Sequence, residues 1–282
     1  MLFDLHNDLL TACLPEDMPK TLADYSAYGL TDAVFAVWTT ELSPSDRSLS
    51  RFVLPRTDIR LRLGIEDLGS VYPGTDSGLR ELLFRIMPAY VSLTWNGENI
   101  FAGGCGRETP LTDKGERAIE LIADCGAALD LAHLSDTAFA GALAKAKSCG
   151  CRVLCSHTAS RALCDQPRCA TDGMAESIAE ASGMIGVMAV ANFLCPGLRY
   201  GENCGREKYA EHIAHFCAVV GSEHVAIGTD FFGSAYYPRG MERYSDFGYL
   251  AEDLAVAGLT EKDIENIFYK TAADFFAAGS DK

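Results

Sequence analysis

A 282-residue chain with 48% hydrophobic and 22% charged side chains has the material for a large soluble core, and α/β barrels of about 250 residues commonly form one domain. With 39 acidic against 24 basic residues its net charge is −15, a surface that repels phosphate backbones and anionic lipid and argues against nucleic acid or a membrane surface as partner. No apolar stretch reaches the ~20 residues of a membrane helix and no basic n-region precedes the first strand-like run, so a cytoplasmic location is expected.

The first apolar run, Leu2-Phe-Asp-Leu-His6, leads into Asn7 and Asp8 and reads as a strand over 2–6. Strand alternation would put Asp4, His6 and Asp8 on one face. Strands are expected next at 32–39 and at 61–66, the latter ending in the carboxylate of Glu66. A helix over 79–86 precedes a fourth strand, 89–95, which ends at Trp95 ahead of Asn96. Helix 113–125 follows, with Asp113-x-x-Glu116 spaced like an N-terminal cap, and then strand 127–133, ending at His133. Helix 135–148, strand 151–157 ending at His157, helix 174–182, strand 184–190 and helix 207–220 continue the alternation. Strand 224–230 ends at Asp230, and helices at 245–257 and 261–277 close the chain, the second opened by a Thr260-x-x-Asp263 cap.

Eight strands alternating with helices predict a closed parallel (β/α)8 TIM barrel, one domain over residues 1–282, with one or two extra C-terminal helices. An open doubly wound sheet is the alternative. It would normally carry a glycine-rich turn after its first strand, where this chain has His6-Asn-Asp-Leu-Leu. The 11 cysteines are an odd number without a C-x-x-C pair and are expected as buried reduced thiols; the five between Cys149 and Cys169 lack the paired spacing of a structural zinc site.

Three histidines and two carboxylates thus fall at the ends of separate strands, where a barrel enzyme builds its site. His6 and Asp8 are spaced to grip one cation such as zinc. A buried, unpaired Glu66 needs a cation or strong donors. It either pairs with Arg60 or Arg62 or bridges two metals, with His133 and His157 completing the second. Asp230 is placed to move a proton between water and a leaving group. Arg168, in Gln166-Pro-Arg-Cys-Ala-Thr-Asp172, offers a planar fork for a substrate carboxylate, or else a loop salt bridge to Asp172. His212 and His215 read as packing or surface residues, and His224 as lying on the opposite, stability-bearing face of the barrel.

These blocks, with Asp4-Leu-His-Asn-Asp8, Gly64-Ile-Glu66, Tyr90-Val-Ser-Leu-Thr94, Leu129-Asp-Leu-Ala-His-Leu-Ser135, Ser156-His157, Arg168 and Gly228-Thr-Asp230 as carriers, resemble the membrane (renal-type) dipeptidases, peptidase family M19, among the amidohydrolase-like barrels. The resemblance implies two Zn2+ ions: one on His6 and Asp8, one on His133 and His157, Glu66 bridging. It implies Asp230 as catalytic acid/base, Arg168 as carboxylate anchor, a hydroxide between the ions as nucleophile, a dipeptide as substrate and a homodimer as assembly. Two departures stand out. Trp95 occupies the position where the family commonly has an oxyanion-steadying histidine, leaving Asn96 or Asn99 as substitute donors, and Asp230-Phe-Phe-Gly233 replaces Asp-Phe-Asp-Gly. A barrel acting on another amide, an N-acyl amino acid or a lactone, and a non-catalytic binding barrel, are the alternatives.

Overall fold

The computed structural model describes residues 1–38, 53–198 and 202–279. Eight strands, β1 (Leu2–Asn7), β2 (Leu30–Val37), β3 (Arg60–Ile65), β4 (Tyr90–Ser92), β5 (Ala128–Asp130), β6 (Val153–Thr158), β7 (Ile185–Val187) and β8 (Val225–Ile227), pair in parallel and in sequence order, and β1 closes on β8. The predicted barrel is therefore present, and the open sheet is excluded. The helices expected from periodicity stand at α4 (Asp76–Ile86), α5 (Asp113–Asp124), α6 (Asp136–Cys149), α7 (Asp172–Glu180), α9 (Arg206–Val220) and α10 (Phe247–Val256). Short helices α1 (Leu9–Ala12), α3 (Leu68–Val71) and α8 (Ala191–Leu194), and the longer α2 (Met18–Ala27), lie in segments without a predicted element. Residue 39 of the second predicted strand falls outside the described residues.

Alternation sorts the strand residues into two cores. Phe3, Leu5, Val34, Tyr90, Ala128, Leu154 and Ala226 fill the barrel interior, while Ala33, Phe35, Val91, Val153, Val225 and Ile227 face the helices. Each fully buried Leu, Ile or Phe contributes about 1.5–3 kcal/mol relative to exposure. Phe276 stacks on Phe3, ring centroids 5.6 Å apart, and stoppers the end of the barrel where β1 begins. That end is also where Arg60 and Arg62 reach Asp32, at 2.9 and 3.2 Å, so neither pairs with Glu66.

The expected cap at Asp113 is displaced by one residue: Thr112 Oγ1 accepts from Gly115 N at 3.1 Å. The Thr260–Asp263 capping box is present as expected. The predicted continuous helix 261–277 is instead α11 (Glu261–Glu265), a π turn over Asn266–Lys270 and α12 (Thr271–Ala277). Asn266 Nδ2 donates to Ser222 Oγ and Thr271 Oγ1 to Ser222 O, and the wider π turn brings these positions, five apart, onto one side.

All eleven cysteines are free, five buried and six half-buried. Among the described residues no helix is long and apolar enough to cross a membrane.

Candidate metal centre

At the C-terminal ends of the strands, His6, Asp8, Glu66, His133 and His157 converge and all are buried. His6 is in β1, Asp8 just beyond it, Glu66 one residue past β3 and His157 in β6. His133 and Asp230 stand farther out than expected, three residues past the ends of β5 and β8, both with left-handed backbone (φ 66° and 61°). Non-glycine residues rarely adopt that conformation, and it clusters at functional sites.

Asp4 does not share the face of His6. The β1–β2 register shifts between Asp4 and Asn7, so Phe3 and Leu5 point into the barrel, and His6 does so as well. Asp4 turns outward, where Thr229 N, Thr229 Oγ1 and Tyr244 OH donate to its carboxylate. It ties β1 to the segment carrying Asp230, and burial raises its pKa.

Each imidazole is oriented by a partner on its far nitrogen. Ser156 Oγ donates its one proton to Asp130 Oδ2 at 2.6 Å, so at 2.8 Å it accepts from His157 Nδ1. His133 Nδ1 lies 2.8 Å from Asn96 Oδ1 and donates to it, and His6 Nδ1 lies 2.8 Å from Tyr90 OH. Gly64 keeps the Tyr90 ring in place, since a Cβ there would sit 2.6 Å from it. With their Nδ1 atoms committed as donors, His133 and His157 turn their Nε2 lone pairs toward one another at 2.9 Å. Glu66 Oε1 lies 2.9 Å from the first and 3.8 Å from the second. The one cationic donor at this point is Arg168 Nη2, 2.9 Å from His133 Nε2.

On the other side His6 Nε2 lies 3.5 Å from Glu66 Oε2 and 3.7 Å from Asp8 Oδ1, and His6 Nε2 and Asp8 Oδ1 are buried without a hydrogen-bond partner. Orphaned, acceptor-rich and mutually close atoms are what a cation would satisfy. His6, Asp8 and Glu66 form one group of metal-ligand geometry, and Glu66, His133 and His157 another, joined by Glu66.

The protonation states fit the same picture. Burial pushes His133 down to about 4, aided by the Arg168 charge, and burial with His6 and Arg168 holds His157 well below the ordinary range. Burial alone would raise Glu66, but His133 and His6 outweigh it and keep the carboxylate ionised. Burial would likewise lower His6, yet Tyr90, Asp8 and Glu66 outweigh it and raise it above the ordinary range. Neutral imidazoles beside carboxylates are the states metal binding requires. Asp230 Oδ1 lies 3.9 Å from His6 Nε2; burial, then the Asp8 and Glu66 charges, lift its carboxyl to about 8.

Arg168 is buried and does not reach Asp172, which pairs with His215 at 2.7 Å; its Nη2 also donates to His157 O at 2.9 Å. Trp95 stands three residues past β4, its ring 6.3 Å from that of His133. Asn99 is consumed by Asp67, Leu93 O and Phe101 N within its own loop, so it offers no free donor to the site. The supporting roles of Tyr90, Ser156 and Asp130 carried no sequence signal beyond their place in strand blocks. Asp130→Asn is expected to weaken metal affinity about 10- to 100-fold with the barrel intact, measured by competition with a chromogenic chelator.

The remaining histidines are structural. His212 is buried, accepting from Ser160 N and facing Leu194 O, and His224 holds Gly183 O at the opposite end of the barrel. Burial lowers His212 to about 4. Its folded-state pKa thus lies below the unfolded value near 6.5, so the unfolded chain binds the extra proton. Stability should fall as pH drops from about 6.5 to 4, by up to about 3 kcal/mol. Urea melts of metal-stripped wild type and His212→Gln across that window should differ in slope, the variant being flatter.

A closed parallel barrel with imidazole and carboxylate ligand atoms gathered at the C-terminal ends of its strands is the class this fold and site define. Within that class the chain belongs to the membrane dipeptidase family, peptidase family M19, whose family model matches residues 56–273. It is 29% identical over 157 residues to Dipeptidase 3 of Macaca fascicularis, covering 56% of this chain and 31% of that protein. It is 28% identical over 222 residues to an uncharacterized dipeptidase of Schizosaccharomyces pombe, covering 77% and 52%. The matched regions thus span about a third to a half of these relatives. In fold it is similar to a metallo peptidase from Rhodobacter sphaeroides solved with a phosphinate mimic of the dipeptide L-Ala-D-Ala, with a TM-score of 0.81, 18% identity and 98% of each chain covered.

Proposed function

We propose that the protein is a zinc-dependent dipeptidase cleaving small dipeptides with a free C-terminal carboxylate. The observation that carries this is the position of Glu66, one oxygen toward His133 and His157, the other toward His6. His6 and Asp8 would hold one ion, His133 and His157 a second, and Glu66 both. When bound, such a pair supplies a Lewis acid for the scissile carbonyl and a water acidified toward a pKa of ~7.

Asn96 and the Ser156–Asp130 pair fix the tautomers of His133 and His157, and Tyr90 OH holds the His6 ring, so every Nε2 faces the centre. Asn96 in this role steadies His133 rather than the substrate. Asp230 takes the proton of the attacking water and returns it to the departing amine; cations nearby would draw its carboxyl down from about 8 into a range suited to both transfers. Arg168, with no carboxylate partner among the described residues, would offer its planar fork to the substrate carboxylate.

Zinc-loaded protein should hydrolyse members of an L-L and L-D dipeptide panel, lose activity to chelator and regain it with zinc; inactivity across the whole panel would reject the proposal. Trp95 favours one second reading, another amide, an N-acyl amino acid or a lactone, because its indole reshapes the wall beside His133. Arg168→Ala separates carboxylate-bearing substrates from neutral ones. A dipeptide should lose about 10- to 100-fold in kcat/KM through KM, a neutral lactone little.

A further inference from the structure

The chain has two tryptophans, and both stand on the cavity above the metal centre: Trp38 after β2 and Trp95 after β4, ring centroids 5.1 Å apart. Phe232 lines the same cavity, and Trp95 and Phe232 are each 37% exposed. The cavity holds about 100 Å³. Besides the candidate ligands, Asp230 and the two indoles, the one side chain with a polar atom on its wall among the described residues is Thr11. That hydroxyl is already engaged, accepting from Trp38 N at 3.1 Å and donating to Ala36 O at 3.4 Å. Positions 95 and 232, the two departures noted in the sequence, therefore belong to one apolar wall.

The wall also has a side. Arg168 comes in from the His133–His157 flank and does not line this cavity, whereas Trp38, Thr11, Phe232 and Gly233 surround it toward Asp8 and Asp230. A dipeptide whose carboxylate reaches Arg168 lays its N-terminal residue against the rings, with its amino group toward the two aspartates.

We propose that this aromatic wall selects dipeptides whose N-terminal residue carries an apolar side chain. The proposal rests on the dipeptidase reading above. An apolar side chain gains buried area and ring contact against Trp38, Trp95 and Phe232, while a charged one is desolvated against the same rings.

The test compares X-Ala dipeptides, with X as Leu, Met, Phe, Ser, Asp or Lys, on the zinc-loaded full chain. The expected result is a kcat/KM about 10- to 100-fold higher for Leu, Met and Phe than for Ser, Asp and Lys. Phe232→Asp should narrow the gap between Leu-Ala and Lys-Ala. Because both tryptophans are at the site, their fluorescence gives a readout independent of turnover: a phosphinate analogue of Leu-Ala should change it at lower concentration than the analogue of Lys-Ala. Hydrolysis with equal rates or a preference for charged X overturns the proposal while leaving the dipeptidase reading standing. If no dipeptide is cleaved, that reading fails and the fluorescence titration decides: selective response to the Leu analogue upholds the apolar wall, equal or absent response overturns it.

Discussion

Glu66→Gln is expected to empty both halves of the metal centre at once. Its two carboxylate oxygens face different ligand groups, His133 and His157 on one side, His6 and Asp8 on the other. An amide of the same shape would turn an N–H donor toward one cation and remove the charge shared by both. Metal analysis of the gently purified variant should fall from about two ions per chain to below one. A ligand that binds only the folded state adds about 2.7 kcal/mol at 100 times its Kd, so losing two such sites should lower the Tm by at least about 5 °C. The variant should then melt where chelated wild type melts. Two retained ions and an unchanged Tm would contradict a shared ligand.

Gly233→Ala should disable the site without touching a ligand. A Cβ at position 233 would meet Asp230 Oδ1 and Asp8 Oδ2, both well inside the 3.0 Å that real Cβ atoms respect. Since the added atom is fixed to the backbone, the two carboxylates must move. One is the proposed acid/base, the other a proposed ligand, and a displacement near 1 Å costs about 100-fold in rate. The expected outcome is a loss of kcat/KM of at least that size, with far-UV circular dichroism and the chelated-state Tm close to wild type. Wild-type kinetics would show that the carboxylates have other room.

The two substitutions mark different depths at which the site could be read. Glu66 was visible in the sequence as a lone carboxylate after an apolar run, and His6, Asp8 and His157 were visible likewise, because strand ends in a barrel share one face. Gly233 was not. Its role depends on two side chains from opposite ends of the chain crowding one backbone position, and no local pattern encodes that. Asp4 was misplaced for a related reason: alternation assumes an unbroken strand, and the register shift between Asp4 and Asn7 reverses the parity midway. The helix over Met18–Ala27 carries Pro19 in its first turn and buries only Leu22 and Tyr25, and the π turn at Asn266–Lys270 is set by a shared partner, Ser222, so neither has a clear local signal.

By itself the sequence determined the eight strand and helix alternations, the barrel, and the imidazole and carboxylate types available at its C-terminal face, since hydrophobic period and strand-end position are local properties of the chain. Only the tertiary structure decided which lone pairs converge. It turned His133 and Asp230 inward through left-handed backbone, assigned Asn96, Tyr90 and Ser156 as orienting partners, sent Arg60 and Arg62 to Asp32 and left Glu66 to the histidines. Burial and hydrogen-bond direction belong to neighbours brought together by folding, and those neighbours lie up to 240 residues apart, as Asp4 and Tyr244 do.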